Sequence, residues 1–180
     1  MANQLRPHGK DLRKGRVSAT GQIYLVTTVT LDRRPFFADF QFGRILVNTM
    51  RHYAENGDVE SLAFVIMPDH LNWLFALTGQ SSLSKLIGQV KGMAAHQINQ
   101  LHAGAHSGAI EVPFAAEAAP TIRLGRIWQK GFHDRALRRE EDIRSIARYI
   151  VMNPVRAEIV SRIWDYPLWD AVWVEERRKV

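Results

Sequence analysis

Two short stretches set chemically capable side chains at spacings that bring them together. In VIMPDHLNWLF (Val65–Phe75), His70 and Asn72 stand two residues apart in an otherwise apolar run. A strand turns successive side chains to opposite faces, so these two share one face while Leu71 and Trp73 take the other. At roughly 6–7 Å along the backbone, an imidazole nitrogen and an amide oxygen can converge on one divalent cation. A plainer role suits the same pair, with His70 capping the turn at Pro68-Asp69 and Asn72 an exposed polar residue on a half-solvated sheet. From the pair alone the plainer role is preferred.

In RYIVMNPVRA (Arg148–Ala157), Tyr149 and Asn153 are related as i and i+4, one above the other on a helix face. A phenol with a pKa near 10 is a poor nucleophile by itself. Beside a divalent cation that polarises a phosphodiester, it can attack phosphorus and form a covalent phosphotyrosine. Asn153 would then bring a further oxygen ligand. A core aromatic followed by a helix-end residue before Pro154 explains the same spacing without chemistry.

The elements that must position these groups follow from periodicity. Residues 1–20 are polar and basic and read as an extended arm, followed by one domain over 21–180. Gln22–Thr30 is β-branched and aromatic, a strand. A loop marked by Pro35 leads to a helix over Phe42–Gly57, which Gly57 stops. Val59–Met67 and His70–Thr78 form two strands joined tightly through Pro68-Asp69. Ser81 or Ser82 caps a helix from Leu83 to Leu101. Residues 102–122, rich in Ala and Gly, read as a flexible insertion. A fourth strand is expected around Ile127–Trp128, with a turn through Gly131. A helix acidic at its start and basic later then runs to near Pro154. The order is that of an α+β, ferredoxin-like βαββαβ antiparallel sheet, with helices on one face and a C-terminal helix carrying Tyr149.

Composition narrows the partner. The 180 residues carry 46% hydrophobic types and a formal charge of +6, with a pI near 10.0. That balance suits a polyanion, nucleic acid before membrane surface. Arg6, Lys10, Arg13, Lys14 and Arg16 crowd the arm. Arg135, Arg138, Arg139, Arg144, Arg148 and Arg156 crowd the last third. The absence of cysteine excludes disulfides and thiolate metal sites and suits a reducing cytoplasm. No run reaches transmembrane length.

Three segments together resemble a known family. VIMPDHLNWLF, IWQKGFHDRALRREEDIRSIARYIVMNPVRA and DYPLWDAVW, with the basic opening LRKGRVSATGQIYLVTTVTLDRRPFF, are similar to the REP-associated tyrosine transposases of the single-tyrosine, His-hydrophobic-His nuclease superfamily. The resemblance implies that Tyr149 is the nucleophile and that His70 and Asn153 bind a divalent metal, Mg²⁺ or Mn²⁺. It also implies cleavage of single-stranded DNA beside palindromic REP hairpins, leaving a 5′-phosphotyrosine and a free 3′-hydroxyl. Where the family has its second histidine this chain has Asn72, a neutral and weaker ligand, so slower cleavage is expected. His133 would lie near the active site, and Lys85, Lys91, His133 and Arg135 would contact DNA with the arm. A cytoplasmic, nucleoid-associated monomer is expected. Two rivals stay open: a hairpin-binding protein without catalysis and, last, an RNA-binding module, for which the strands lack an RNP-type aromatic pattern.

Overall fold

A computed structural model describes residues 20–107, 124–138 and 141–173. β1 (Ile23–Val29) alternates half-buried and buried residues, the period of a strand covered more fully on one face. α1 (Phe40–Glu55) opens on Asp39, whose carboxylate accepts from the Gln41 amide at 2.8 Å. It closes before Gly57, which takes the left-handed φ of 76° that an L side chain resists. β2 (Val59–Met67) and β3 (His70–Leu77) follow as a hairpin whose connection is Pro68-Asp69. Then come α2 (Leu83–Ser107), β4 (His133–Ala136), α3 (Ile143–Val151), α4 (Asn153–Arg156) and β5 (Trp169–Ala171).

The sheet order is β4-β1-β3-β2-β5, with every neighbouring pair antiparallel. Its first four strands and two long helices make the expected βαββαβ domain, and β5 extends it beyond β2. From Leu71 to Leu77 every residue of β3 is buried, so both faces of the sheet centre are covered. α1 and α2 pack on each other, while α3 packs on β2 and β5. Trp73, Phe75, Leu46, Ile66 and Leu86 are among the fully buried side chains, and the Trp73 indole donates to the Ser61 hydroxyl at 2.9 Å.

Three expectations about element bounds need correction. The fourth strand is His133–Ala136 rather than Ile127–Trp128; Trp128 forms only an isolated bridge with Thr30. The apolarity of that dipeptide serves core packing: the Trp128 ring lies 5.2 Å from that of Phe37, and its indole donates to the Lys91 carbonyl at 3.1 Å. α2 continues to Ser107 instead of stopping at Leu101; no proline falls within His-Ala-Gly-Ala-His-Ser to break the ladder. The remainder of the expected insertion, 108–122, lies outside the described residues, as do residues 1–19 of the arm. Finally, the helix expected to run to Pro154 is interrupted at Met152. Proline lacks the N–H that would continue the ladder and instead sits at the start of α4.

The segment ahead of β5 is pinned by Tyr166, whose buried hydroxyl donates to the Ile66 carbonyl at 2.6 Å. Burial pushes this phenol up to about 12. The folded value exceeds the unfolded value near 10, so this contribution to stability is complete below pH 10 and disappears as pH climbs toward 12. In chemical denaturation, Tyr166→Phe should start about 1 kcal/mol less stable at neutral pH and decline less steeply above pH 10. An equally steep alkaline decline in the variant would contradict this account.

Candidate functional site

The sheet half of the site is set by register. Val29, His70 and Met67 lie opposite one another across β1, β3 and β2, and so do Thr27, Asn72 and Val65. Directly opposed residues share a face, so His70, Asn72 and Thr27 stand together on one side of the sheet. The His70 Nδ1 is 2.6 Å from a carboxylate oxygen of Asp69. With the proton on Nδ1 facing that carboxylate, Nε2 carries the lone pair. Asp69 also receives Arg33 Nη1 at 2.8 Å. Burial alone would raise the Asp69 pKa, but hydrogen bonds from His70 and Arg33, with their charge, hold it below its ordinary 3.8.

Arg33 reaches Asp69 from an unusual backbone. Asp32 and Arg33 both adopt φ 53°, a left-handed conformation that costs an L residue roughly 1–2 kcal/mol. Asp32 is of a type that tolerates it and Arg33 is not; at this position the Arg33 amide donates to the Thr30 carbonyl at 3.2 Å and its guanidinium pairs with Asp69. Asn72 is only 8% exposed, which excludes the exposed-polar role weighed from sequence. Its Oδ1 accepts from the Thr27 hydroxyl at 2.7 Å.

The helix half lies on α3 and α4. Asp142 caps α3 by accepting from the Ser145 amide at 3.1 Å. Ala147, Ile150 and Val151 are the buried face, leaving Tyr149 66% exposed. Tyr149 and Asn153 do not share one continuous helix, yet Arg156 joins them. Its guanidinium lies 3.8 Å from the Tyr149 ring centroid, Nη1 donates to the Tyr149 carbonyl at 2.6 Å, and Nη2 donates to the Asn153 Oδ1. The two halves share β2 as scaffold, paired with β3 on one edge and carrying α3 and α4. Among the described residues, no hydrogen bond or ring contact joins Tyr149 to His70.

The remaining candidates separate. His133 opposes Thr27 on β4, on the same face as Asn72 and roughly 10 Å away across two strand spacings. Arg135 opposes Leu25 on that face and pairs with Glu141. Lys85 is exposed on α2. The Lys91 ammonium donates to the carbonyls of Gln129 at 2.8 Å and Gly131, tying the loop before β4 to α2. Arg6, Lys10, Arg13, Lys14 and Arg16 lie outside the described residues. Sequence reasoning missed Asp69, Arg33, Thr27 and the contact of Arg156. Only Asp69, a carboxylate beside a candidate ligand, carried a visible signal.

Comparison with known proteins gives this geometry a family. The model for "Transposase IS200 like" domains matches residues 18–153. The chain belongs to the IS200-like transposase family. It is 25% identical over 151 residues to a Haemophilus influenzae protein named "Putative REP-associated tyrosine transposase", covering 82% of this chain and 78% of that one. Its fold is similar to the solved structure of a REP-associated tyrosine transposase bound to a REP hairpin, with a TM-score of 0.62, 22% identity, and 86% and 79% of the two chains covered. Tyrosine transposases of this family cut DNA by transesterification and are generally metal-dependent. Among the described residues of this transposase, no helix is long and apolar enough to cross a membrane.

The donor set fits a divalent ion in part. His70 backed by Asp69 has the arrangement of a ligating histidine whose other ring nitrogen is held by a carboxylate. The Asn72 oxygen keeps one lone pair after accepting from Thr27. Asn153 has its oxygen on Arg156, and among the described residues no cluster of three His, Cys, Asp or Glu side chains exists. One imidazole and neutral amides make a weak site rather than a carboxylate cage.

The Asp69 contacts predict a pH signature. A carboxyl whose folded pKa is depressed stabilises above its unfolded pKa and loses that effect as pH falls through the folded value. Asp69→Asn should therefore be less stable than the parent at pH 7, with the gap closing below about pH 4. A gap constant from pH 7 to pH 3 in urea titrations would contradict the Arg33–Asp69–His70 linkage.

Proposed function

We propose that this transposase is a single-strand DNA endonuclease and strand transferase acting beside REP-type palindromic hairpins, with Tyr149 as nucleophile. The observation that carries the reading is an exposed phenol on α3 held by the Arg156 guanidinium of α4, in a chain of the IS200-like family. The Tyr149 oxygen would bond to phosphorus as the bond from phosphorus to the 3′ oxygen breaks. The phenol proton leaves and the departing 3′ oxygen gains one, giving a 5′-phosphotyrosine and a free 3′-hydroxyl. His70 through Nε2 and Asn72 through its amide oxygen would hold Mg²⁺ or Mn²⁺, with Asn153 a third donor only after releasing Arg156. When bound, the ion would polarise the phosphodiester. His133, on the sheet face of Asn72, would assist the leaving oxygen or contact DNA. Lys85, Arg135 and the basic arm suit phosphate contacts, whose affinity would fall steeply with salt.

A second reading is favoured by one observation. The Asn72 oxygen is already engaged by Thr27, which suits a hairpin-binding protein with weakened or lost catalysis. One experiment separates the two. A labelled hairpin oligonucleotide with a single-stranded flank, incubated with Mn²⁺ or Mg²⁺, should give a covalent adduct that Tyr149→Phe abolishes without loss of hairpin binding. Asn72→His should raise the yield. Tight hairpin binding with no adduct from either the parent or Asn72→His would overturn the nuclease reading in favour of the binding protein.

A further inference from the structure

We infer that Arg156 is a positioning residue for the Tyr149 phenol, and that Asn153 serves the site by anchoring Arg156. This rests on the reading of Tyr149 as nucleophile and assigns Asn153 a partner other than a metal ion.

Three contacts from one side chain support it. The guanidinium stacks 3.8 Å from the Tyr149 ring centroid, donates to the Tyr149 carbonyl at 2.6 Å, and donates to the Asn153 Oδ1. A planar fork can stack and donate in two directions at once; an ammonium is a point charge without that geometry. The chain path makes the contact possible. In an unbroken helix, positions 149 and 156 would be separated by two turns, roughly 10 Å along the axis. The interruption at Met152 (φ −76°, ψ 3°) and Pro154 at the start of α4 turn the backbone so that Arg156 folds back over the ring.

The clamp answers two demands of the chemistry. Tyr149 is 66% exposed, and an exposed side chain ordinarily changes rotamer within nanoseconds. A ring sandwiched against a guanidinium that is itself tied to backbone and Asn153 is held in one direction, which counts heavily when an attacking atom must be aligned. Negative charge also builds on the phenol oxygen as its proton leaves, and a fixed cation on the ring face stabilises that charge without touching the reacting atoms. Arg156 thus acts through Tyr149.

The test uses the full chain and two readouts. First, ring-labelled ¹³C-tyrosine is observed by NMR without DNA, with the Tyr149 signal identified by its loss in Tyr149→Phe. In the parent that signal should be shifted from the free-tyrosine position and broad; in Arg156→Gln it should narrow and move to that position. Asn153→Ala should move it part of the way, and Arg156→Lys should restore little. Second, cleavage of the labelled hairpin by Arg156→Gln should show kcat lowered at least about tenfold, with a much smaller change in KM and hairpin affinity. An unchanged Tyr149 signal in folded Arg156→Gln, or a loss confined to KM, would overturn the proposal. If neither the parent nor Asn72→His forms an adduct, the nuclease reading falls while the NMR readout still decides whether the clamp exists.

Discussion

The pairing register of β3 is the constraint on which the site depends. Thr27, Asn72 and Val65 line up across three strands, as do Val29, His70 and Met67. Slipping β3 by one residue would turn both polar side chains onto the face that Leu71 and Trp73 fill and carry those two to the opposite one. Trp73 is fully buried with its N–H on Ser61, so that slip would cost both burial and a hydrogen bond. The connection through Pro68-Asp69 is short enough to fix the register, and Thr30 reinforces it. Its amide and hydroxyl both donate to the Asp69 carbonyl, each at 2.9 Å, and the hydroxyl lies 2.8 Å from the Arg34 carbonyl. Core packing therefore dictates where the imidazole stands.

The site is built as two halves that lean on the same strand. On the sheet, Arg33 and Asp69 orient His70 while Thr27 holds Asn72. On the helices, Arg156 and Asn153 orient Tyr149. In each half an arginine restrains a candidate group, Arg33 through Asp69 beside His70 and Arg156 directly on Tyr149. The sheet arginine is delivered by a left-handed backbone at φ 53°, the helix arginine by a proline-induced break. Irregular backbone at both places marks where regular geometry was given up to aim a side chain. β2 transmits position between the halves, because it pairs with the strand bearing His70 and supports the helix bearing Tyr149.

Much of this was legible in the residues. The βαββαβ order, the hairpin at Pro68-Asp69 and the shared face of His70 and Asn72 follow from periodicity and turn chemistry, which are local. What failed was equally physical. Ile127–Trp128 has the composition of a strand, but burial under α2 satisfies those side chains as well as a ladder would. The spacing of Tyr149 and Asn153 assumed a helix through Met152, and Pro154 was read as its end rather than as the start of another. Thr27 and Arg33 act on residues about 40 positions away in the chain, and only the register of three strands reveals those contacts. The carbonyl partners of Lys91 are likewise about 40 positions away and carry no local signal.

The central claim is that both halves serve one phosphodiester. It is tested most directly by a crystal structure of Tyr149→Phe with a REP-type hairpin, its single-stranded flank and Mn²⁺, using anomalous scattering to locate the ion. The account predicts an ion at His70 Nε2 with Asn72 beside it, and the scissile phosphate between that ion and the ring at position 149. A hairpin bound with its flank on the opposite face of the sheet, or an ion remote from His70, would contradict it.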